Sequence, residues 1–293
     1  MLALLVKPTV WKSRKAKTVL EGLQISGAIV LQGSNSVELS IELAELQRDY
    51  SDLTLVACGG DGTVHLALNS IPGNVALAVI PMGTGNDFSR YLGIKNTKAG
   101  LEILTHGTAS HLDYGVITLA NGVERKFLGV VSCGFDAQVN ERANTYRGPS
   151  GTIKYLVALF VELSKLSPRN FIVKTDDTEL RSELLTLVAV GNTSSYGGGM
   201  RICPTANAND GCFEVTYVQA VTRRLLVRVL PKVFWGGHVS HPKVQQQVAS
   251  RVELGGDGFP VYADGELVGT GPIKVELIPR GVRVWQATTH GKP

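Results

Sequence analysis

Cysteine is scarce in this chain, and the little there is follows no pattern. Cys58, Cys133, Cys203 and Cys212 form no CxxC pair and have no zinc-type spacing with histidine. That excludes a disulfide scaffold and the usual structural zinc sites, and leaves reduced thiols in a cytosolic protein as the simplest reading. Long apolar runs are missing too. None approaches the ~20 residues that span a bilayer, and Met1 to Val6 stops at Lys7-Pro8, too short for the apolar core of a signal peptide. A strong charge bias is also absent: a net charge of +4 does not point to nucleic acid, though it suits an anionic substrate or a membrane surface. The sequence has no GxxxxGKS or GxxxxGKT loop and neither the HRD nor the DFG signature, so two familiar routes to nucleotide chemistry are closed. There is no internal repeat and no low-complexity linker.

What is present is a soluble composition, 44% hydrophobic with 33 glycines in 293 residues, enough for one large domain or two ordinary ones. The glycines gather informatively in VACGGDGTVHLALN, residues 56–69. Leu53 to Ala57 reads as a buried strand. Cys58 to Thr63 then holds three glycines and one carboxylate, Asp61, before a helix-compatible pattern resumes at Val64. A strand, a glycine loop and a helix start let backbone N–H groups approach phosphate oxygens, although an ordinary tight turn has the same appearance. A second apolar run, Val75 to Ile80, ends in Pro81-Met82-Gly83-Thr84-Gly85-Asn86-Asp87-Phe88-Ser89-Arg90. Two such loops after successive strands are expected where a ligand crosses the strand ends of an open α/β sheet. Asp61 could hold Mg²⁺ through water beside substrate phosphates, or could serve as a turn residue bonding its own backbone. Asn86 and Asp87 stand where a helix cap is needed.

GGDGT followed by PMGTGNDFSR resembles the diacylglycerol kinase catalytic domain shared by sphingosine kinases and bacterial lipid kinases. The resemblance implies that Gly59, Gly60, Asp61, Gly62 and Thr63, with Gly83, Thr84, Asn86 and Asp87, hold the ATP phosphates. It extends to Val131-Ser132-Cys133-Gly134-Phe135-Asp136-Ala137, where Asp136 is either a helix cap or a contact in the active site. It extends also to Gly197-Gly198-Gly199 with Pro204, Ala206 and Asp210-Gly211. There it implies a structural Mg²⁺ on the Asp210 carboxylate, with Asn207 and Cys212 giving main-chain oxygens; a strand-connecting turn is the plain alternative. Tyr262-Ala263-Asp264-Gly265-Glu266 is a strong hairpin signal by itself. The family carries Asp-Gly-Glu here as general base for the lipid hydroxyl, and the sequence does not choose between Asp264 and Glu266. The turn Lys7 to Trp11 departs from the family's Asn-Pro-x-Ser-Gly by its Lys7 and its missing glycine. The basic cluster Lys12 to Lys17 reads most simply as a solvated helix face.

Taken in order, the first hundred residues give β–α–β–α–β, the pattern of a doubly wound parallel α/β domain, closing with a helix near Gly100 to His106 and a boundary near residue 110. After it come the strand-like stretches His111 to Leu119, Arg125 to Cys133, Asn170 to Lys174, Glu183 to Val190, Cys212 to Val218, Val244 to Leu254 and Ile273 to Ile278. Turn signals separate them and helices interrupt at Thr152 to Lys165 and Thr222 to Phe234. Residues 111–293 therefore read as a mainly antiparallel β-sandwich domain.

The expected function is an ATP- and Mg²⁺-dependent lipid kinase acting on a diacylglycerol-like or sphingoid hydroxyl, in a cleft between the two domains. The alternatives are a soluble-substrate kinase of the NAD kinase type, which also uses a GGDG loop, and a nucleotide-binding regulator on the same fold. The expected setting is cytoplasmic and peripheral to the membrane, without nucleic acid; a homodimer is allowed. Thr222 to His241, with Arg223, Arg224, Arg228 and Lys232 among apolar residues before Phe234 and Trp235, reads either as an interfacial helix or as a core-packed helix that Pro231 ends.

Overall fold

The computed structural model describes residues 1–7, 14–25, 27–72, 74–145, 152–176, 178 and 181–288. The chain packs as two units, Met1–Leu112 with Arg280–Pro293, and Asp113–Pro279. It therefore passes from one unit to the other twice, where the sequence showed one boundary near residue 110.

In the first unit the short apolar runs become β1 (Leu2–Val6), β2 (Ile29–Val30), β3 (Thr54–Gly59) and β4 (Ala76–Pro81), parallel in the order β2-β1-β3-β4. Every residue of β3 and β4 is buried. Strands covered on both faces need apolar side chains at successive positions, which is why these two read as unbroken runs rather than as alternation. The helices are α1 (Arg14–Ile25), α2 (Ser36–Asp49), α3 (Asp61–Ser70), α4 (Asp87–Tyr91) and α5 (Thr97–His106). Leu20 of α1, with Leu101 and Leu104 of α5, packs on Leu4, Val56, Ala78 and Ile80. Asn35 caps α2, accepting from the N–H groups of Val37 and Glu38 at 3.1 and 3.0 Å, a contact that stabilises a helix by about 1 kcal/mol. Because β3 and β4 are adjacent and parallel, with Gly59 opposite Pro81, both glycine loops leave the same end of the sheet. The departures at Pro8 to Trp11, and Lys12 and Ser13 of the basic cluster, lie outside the described residues.

The second unit is mainly antiparallel. From β5 (Thr108–Leu119) the chain runs through β6 (Glu124–Phe127), β7 (Val130–Gly134), α6 (Phe135–Thr145), α7 (Thr152–Leu163), β8 (Arg169–Thr175), β9 (Arg181–Gly191) and β10 (Phe213–Gln219). It continues through α8 (Arg223–Val229), β11 (Val244–Ala249), β12 (Arg251–Gly255), β13 (Pro260–Ala263), β14 (Glu266–Thr270) and β15 (Ile273–Gln286). β9 organises this unit: it pairs with β7 and β8 on one edge and with β10 on the other. Its alternate residues serve two cores. Val188 and Val190 join a sandwich core with Phe127, Phe171, Phe213 and Phe259. Leu187 and Ala189 join a second core with Phe135, Leu159, Met200, Leu226 and Val233.

Three stretches differ from the sequence reading. Arg125 to Cys133 is broken at Leu128-Gly129, between β6 and β7, and Val244 to Leu254 is broken at Ser250, between β11 and β12. The segment Thr222 to Phe234 is α-helical only to Val229; Pro231, with no N–H to give, opens a 3₁₀ turn over Leu230–Trp235. The last residues of β15 return to the first unit, where Val284 pairs in parallel with Leu77.

Candidate active site

In the first unit the two glycine loops are fastened to each other. Met82 donates its N–H to the Gly59 carbonyl at 2.9 Å. Phe88 donates its N–H to Asp61 Oδ1 at 3.2 Å. Gly60 and Gly83 touch backbone to backbone: a Cβ on Gly83 would fall 2.4 Å from the Gly60 Cα, so no side chain fits between the loops. Gly60 caps α3 without any side-chain hydrogen bond, and Asp61, half-exposed, is the first residue of that helix. A Cβ on Gly85 would meet Asp61 Oδ2 at 2.8 Å and Asp87 Oδ2 at 3.6 Å, so two carboxylates face one bare glycine. That cradle fits Mg²⁺, which takes one or two carboxylates together with substrate phosphates.

The remaining loop residues divide by what their side chains already hold. Asn86 sits in the left-handed region (φ 53°). Its side chain accepts from the Gly83 N–H at 3.1 Å and donates to the Gly83 carbonyl at 2.8 Å, so it shapes the loop rather than capping α4. Asp87 is buried and pairs with Arg90 at 2.5 Å, while Arg90 also donates to the Gly85 carbonyl at 2.8 Å. Thr63 is buried and Thr84 exposed. Gly59, Gly62 and Gly83 offer backbone only.

In the second unit Asp264 and Gly265 form the two-residue turn between β13 and β14, both at positive φ (53° and 82°), as a tight hairpin requires. The Asp264 carboxylate accepts from Gly129 N–H at 2.7 Å and from Leu128 N–H at 3.2 Å. This is the reason for the break between β6 and β7: two amides leave the ladder to hold a carboxylate. Glu266 is exposed, and its carboxylate makes no hydrogen bond among the described residues.

The loop around Asp210 belongs to the same polar framework. Asp210 is exposed and its Oδ1 accepts from the N–H and the thiol of Cys212 at 3.2 and 3.3 Å. Partial burial first, and then the Asp210 carboxylate, push the Cys212 thiol up to about 11. A metal at this loop would take the Asp210 carboxylate with the Asn207 and Cys212 carbonyls. That donor set fits a hard cation.

Two residues that the sequence did not single out hold this framework together. Asp113, buried on β5, accepts from Gly211 N–H at 2.9 Å, and its own N–H donates to the Ala208 carbonyl at 2.8 Å. Asn192, fully buried, donates to the carbonyls of Asp113 and Leu128 at 2.9 and 2.7 Å. A continuous line of hydrogen bonds thus runs from the 207–212 loop through Asp113, Asn192 and Leu128 to Asp264. Asp136 is buried in the first turn of α6.

The profile of the diacylglycerol kinase catalytic domain matches residues 11–117, and that of the YegS C-terminal NAD kinase beta sandwich-like domain matches residues 129–286. A curated protein of Mycobacterium tuberculosis named diacylglycerol kinase is 40% identical over 233 residues, covering 78% of this chain and 75% of that protein. The chain belongs to the diacylglycerol kinase family. A Staphylococcus aureus protein of the same name is 29% identical over 237 residues, covering 79% of this chain and 73% of its own length.

Among solved structures, a diacylglycerol kinase from Bacillus anthracis superposes with a TM-score of 0.71 at 18% identity, covering 98% of this chain and 97% of that one. An NAD kinase from Archaeoglobus fulgidus in complex with ATP gives 0.52 at 14% identity, covering 98% and 94%. Both share its fold. Within this diacylglycerol kinase family member, the fastened loops fall in the catalytic-domain match, and the Asp264 hairpin and the Asp210 loop fall in the C-terminal match. It is a kinase of this family, and no helix among the described residues is long and apolar enough to cross a membrane.

Proposed function

We propose that this kinase transfers the γ-phosphoryl group of ATP to a hydroxyl of a diacylglycerol-like or sphingoid lipid, with Mg²⁺ as cofactor. The observation that carries the reading is the pair of interlocked glycine loops at the carboxyl ends of β3 and β4, with the Asp61 carboxylate between them. Phosphoryl transfer asks the protein chiefly for positioning and charge stabilisation. Backbone donors of the loops and the start of α3 would hold the phosphates, and Thr84 is exposed for a further contact. Mg²⁺, when bound, would neutralise phosphate charge; Asp61 would hold it, with Asp87 behind, partly neutralised by Arg90. Asp61 keeps one oxygen on the Phe88 amide and turns the other toward bare Gly85, so its orientation is set in advance.

The second unit would supply the acceptor side. A loose transition state needs an oriented hydroxyl more than a strong base. That favours Asp264, held by two main-chain amides, over the exposed Glu266. The two Asp264 oxygens accept from different main-chain amides, so the plane of the carboxylate is fixed where it would orient a substrate hydroxyl. Asp210, with the carbonyls of Asn207 and Cys212, would hold a structural Mg²⁺ that stiffens the far end of the same hydrogen-bond line.

The NAD kinase reading draws on the fold shared with the Archaeoglobus fulgidus enzyme. A regulator without catalysis would have no need of Asp61, Asp264 and Glu266. Labelled-ATP transfer with purified protein against diacylglycerol, sphingosine, polyprenol and NAD separates the three. Label in a lipid product is the expected result; label only in NAD, or in none, would overturn the reading.

A further inference from the structure

Between Val215 and Val252 the chain has no aspartate or glutamate but six lysines and arginines, more than the net charge of +4 for the whole protein. Four of those cations, Arg223, Arg224, Arg228 and Lys232, lie on α8 and the 3₁₀ turn that follows it. All four are exposed, and among the described residues none forms an ion pair. The same short element is two-sided. Leu226 and Val233 are buried in the second core, and Arg201 donates its N–H to the Val233 carbonyl at 2.9 Å, so the element is anchored. Its outer side carries Val227, Phe234 and Trp235 with 43%, 36% and 63% of their surface exposed. Leu184, half exposed, follows on: its carbonyl accepts the N–H of Ala220, just before α8.

Trp235 is not a loose side chain. A Cβ on Gly237 would fall 2.6 Å from the indole Nε1, so the ring lies folded over a glycine and keeps its apolar body outward. Gly236, at φ 78°, makes the reversal that allows this. Leaving an indole, a phenyl ring and a valine in water forgoes the burial that usually stabilises such groups. A fixed, exposed set of them between unpaired cations has the make-up of a surface that meets a partner.

We infer that this face docks on an anionic lipid bilayer, with Trp235 and Phe234 at the level of the headgroups and the four cations over them. Charge complementarity decides the class of partner. A protein interface would have to match four cations with carboxylates in fixed places, whereas a bilayer lets lysine and arginine stems reach charged headgroups while the rings enter the acyl boundary. Nucleic acid would use the cations but not a valine and a phenylalanine beside them. The inference builds on the lipid kinase reading, since a diacylglycerol-like acceptor stays in the bilayer and the enzyme must come to it.

The test is sedimentation with vesicles of phosphatidylcholine carrying increasing phosphatidylglycerol, with neither ATP nor acceptor lipid present. Binding rises with phosphatidylglycerol and falls as salt shortens the screening length from about 10 Å at 0.1 M to about 3 Å at 1 M. Each cation near such a surface contributes about fivefold in partitioning, so the triple variant R223Q/R224Q/R228Q loses on the order of 100-fold. W235A weakens binding further at every salt concentration, and both variants keep the wild-type melting temperature. Vesicle binding that ignores salt, or survives the triple substitution, overturns the inference. So does a change of oligomeric state by light scattering in either variant, which would make the face a contact between copies, or equal loss of heparin binding with no effect of W235A. Transfer to lipid in detergent micelles is measured separately. A protein that phosphorylates micellar lipid but ignores vesicles refutes the docking face alone; one that binds vesicles but transfers no phosphate refutes the kinase reading alone.

Discussion

Asp61 and Asp264 are both aspartates whose carboxylates are held by main-chain amides, yet the two units build them by opposite means. Asp61 takes its amide from Phe88, 27 residues on, across two loops that follow neighbouring parallel strands. Asp264 takes both of its amides from a strand break 135 and 136 residues earlier, presented by a buried asparagine. The first arrangement is local and assembled from glycine. The second is long-range and assembled from a polar line through an apolar sandwich. A local site tolerates change in the rest of the molecule but not in its own spacing; a long-range one is exposed to damage anywhere along its line.

The largest expected effect falls on the local side. Asp61→Asn removes the charge and keeps an oxygen for the Phe88 amide, so the melting temperature should stay close to that of the wild type. Transfer should drop on the order of 10³-fold, the scale of losing a group that stabilises developing charge. Near wild-type turnover at saturating Mg²⁺ and ATP would make Asp61 a turn residue and the comparison empty. Next comes the acceptor side: Asp264→Asn should lower kcat by at least about 10²-fold with the KM for ATP little changed, while Glu266→Gln should have a small effect. The reverse outcome would transfer the role of base to Glu266, and the long-range framework would then be scaffolding for the hairpin.

How legible these sites were follows from the same contrast. Both loops of the first unit stand in the sequence as strand, glycines, helix start, because all their partners lie within a short span of chain. Asp113 and Asn192 gave no signal: a carboxylate in a strand and an asparagine in a Gly-Asn-Thr loop look the same whether they face solvent or clamp a carbonyl. The hairpin at Asp264-Gly265 was plain, but its grip on Leu128 and Gly129 was not, since nothing local marks a pair of amides that leave a ladder. The final strand was misleading for another reason. Residues 280–286 alternate like the β-domain strands, and only pairing with Leu77 assigns them to the first unit.

A stability measurement sharpens the comparison further. Asn192→Ala removes two hydrogen bonds and leaves the buried carbonyls of Asp113 and Leu128 without that donor, at a cost of about 1–3 kcal/mol. The melting temperature should fall by several degrees, and turnover with it. Asp210→Ala should do the same more mildly, and added Mg²⁺ should raise the wild-type melting temperature but not the variant's. Unchanged melting with no activity would place Asp210 in the chemistry instead.

The smallest effect is in pH. His238 is buried, with Nε2 3.1 Å from the Ile202 carbonyl, and burial holds its pKa below the ordinary 6.5. The unfolded chain therefore takes up a proton first as pH falls. This contribution to stability is complete above about 6.5 and declines below it, by at most about 1.4 kcal/mol per pH unit. His238→Asn should flatten the decline in a denaturant series between pH 7 and 5; an unaltered slope would assign it to other groups.

The double passage of the chain has a consequence for how the protein comes into being. A ribosome delivers the two glycine loops long before it reaches Val284, and segments made earlier tend to fold as they emerge. Yet the sheet that carries those loops has an open flank at β4 until Val284 arrives beside Leu77. An unpaired strand edge is a template for pairing with other chains. Strands made earlier are thus closed only by a later one, and a truncation anywhere before residue 280 leaves that seam open.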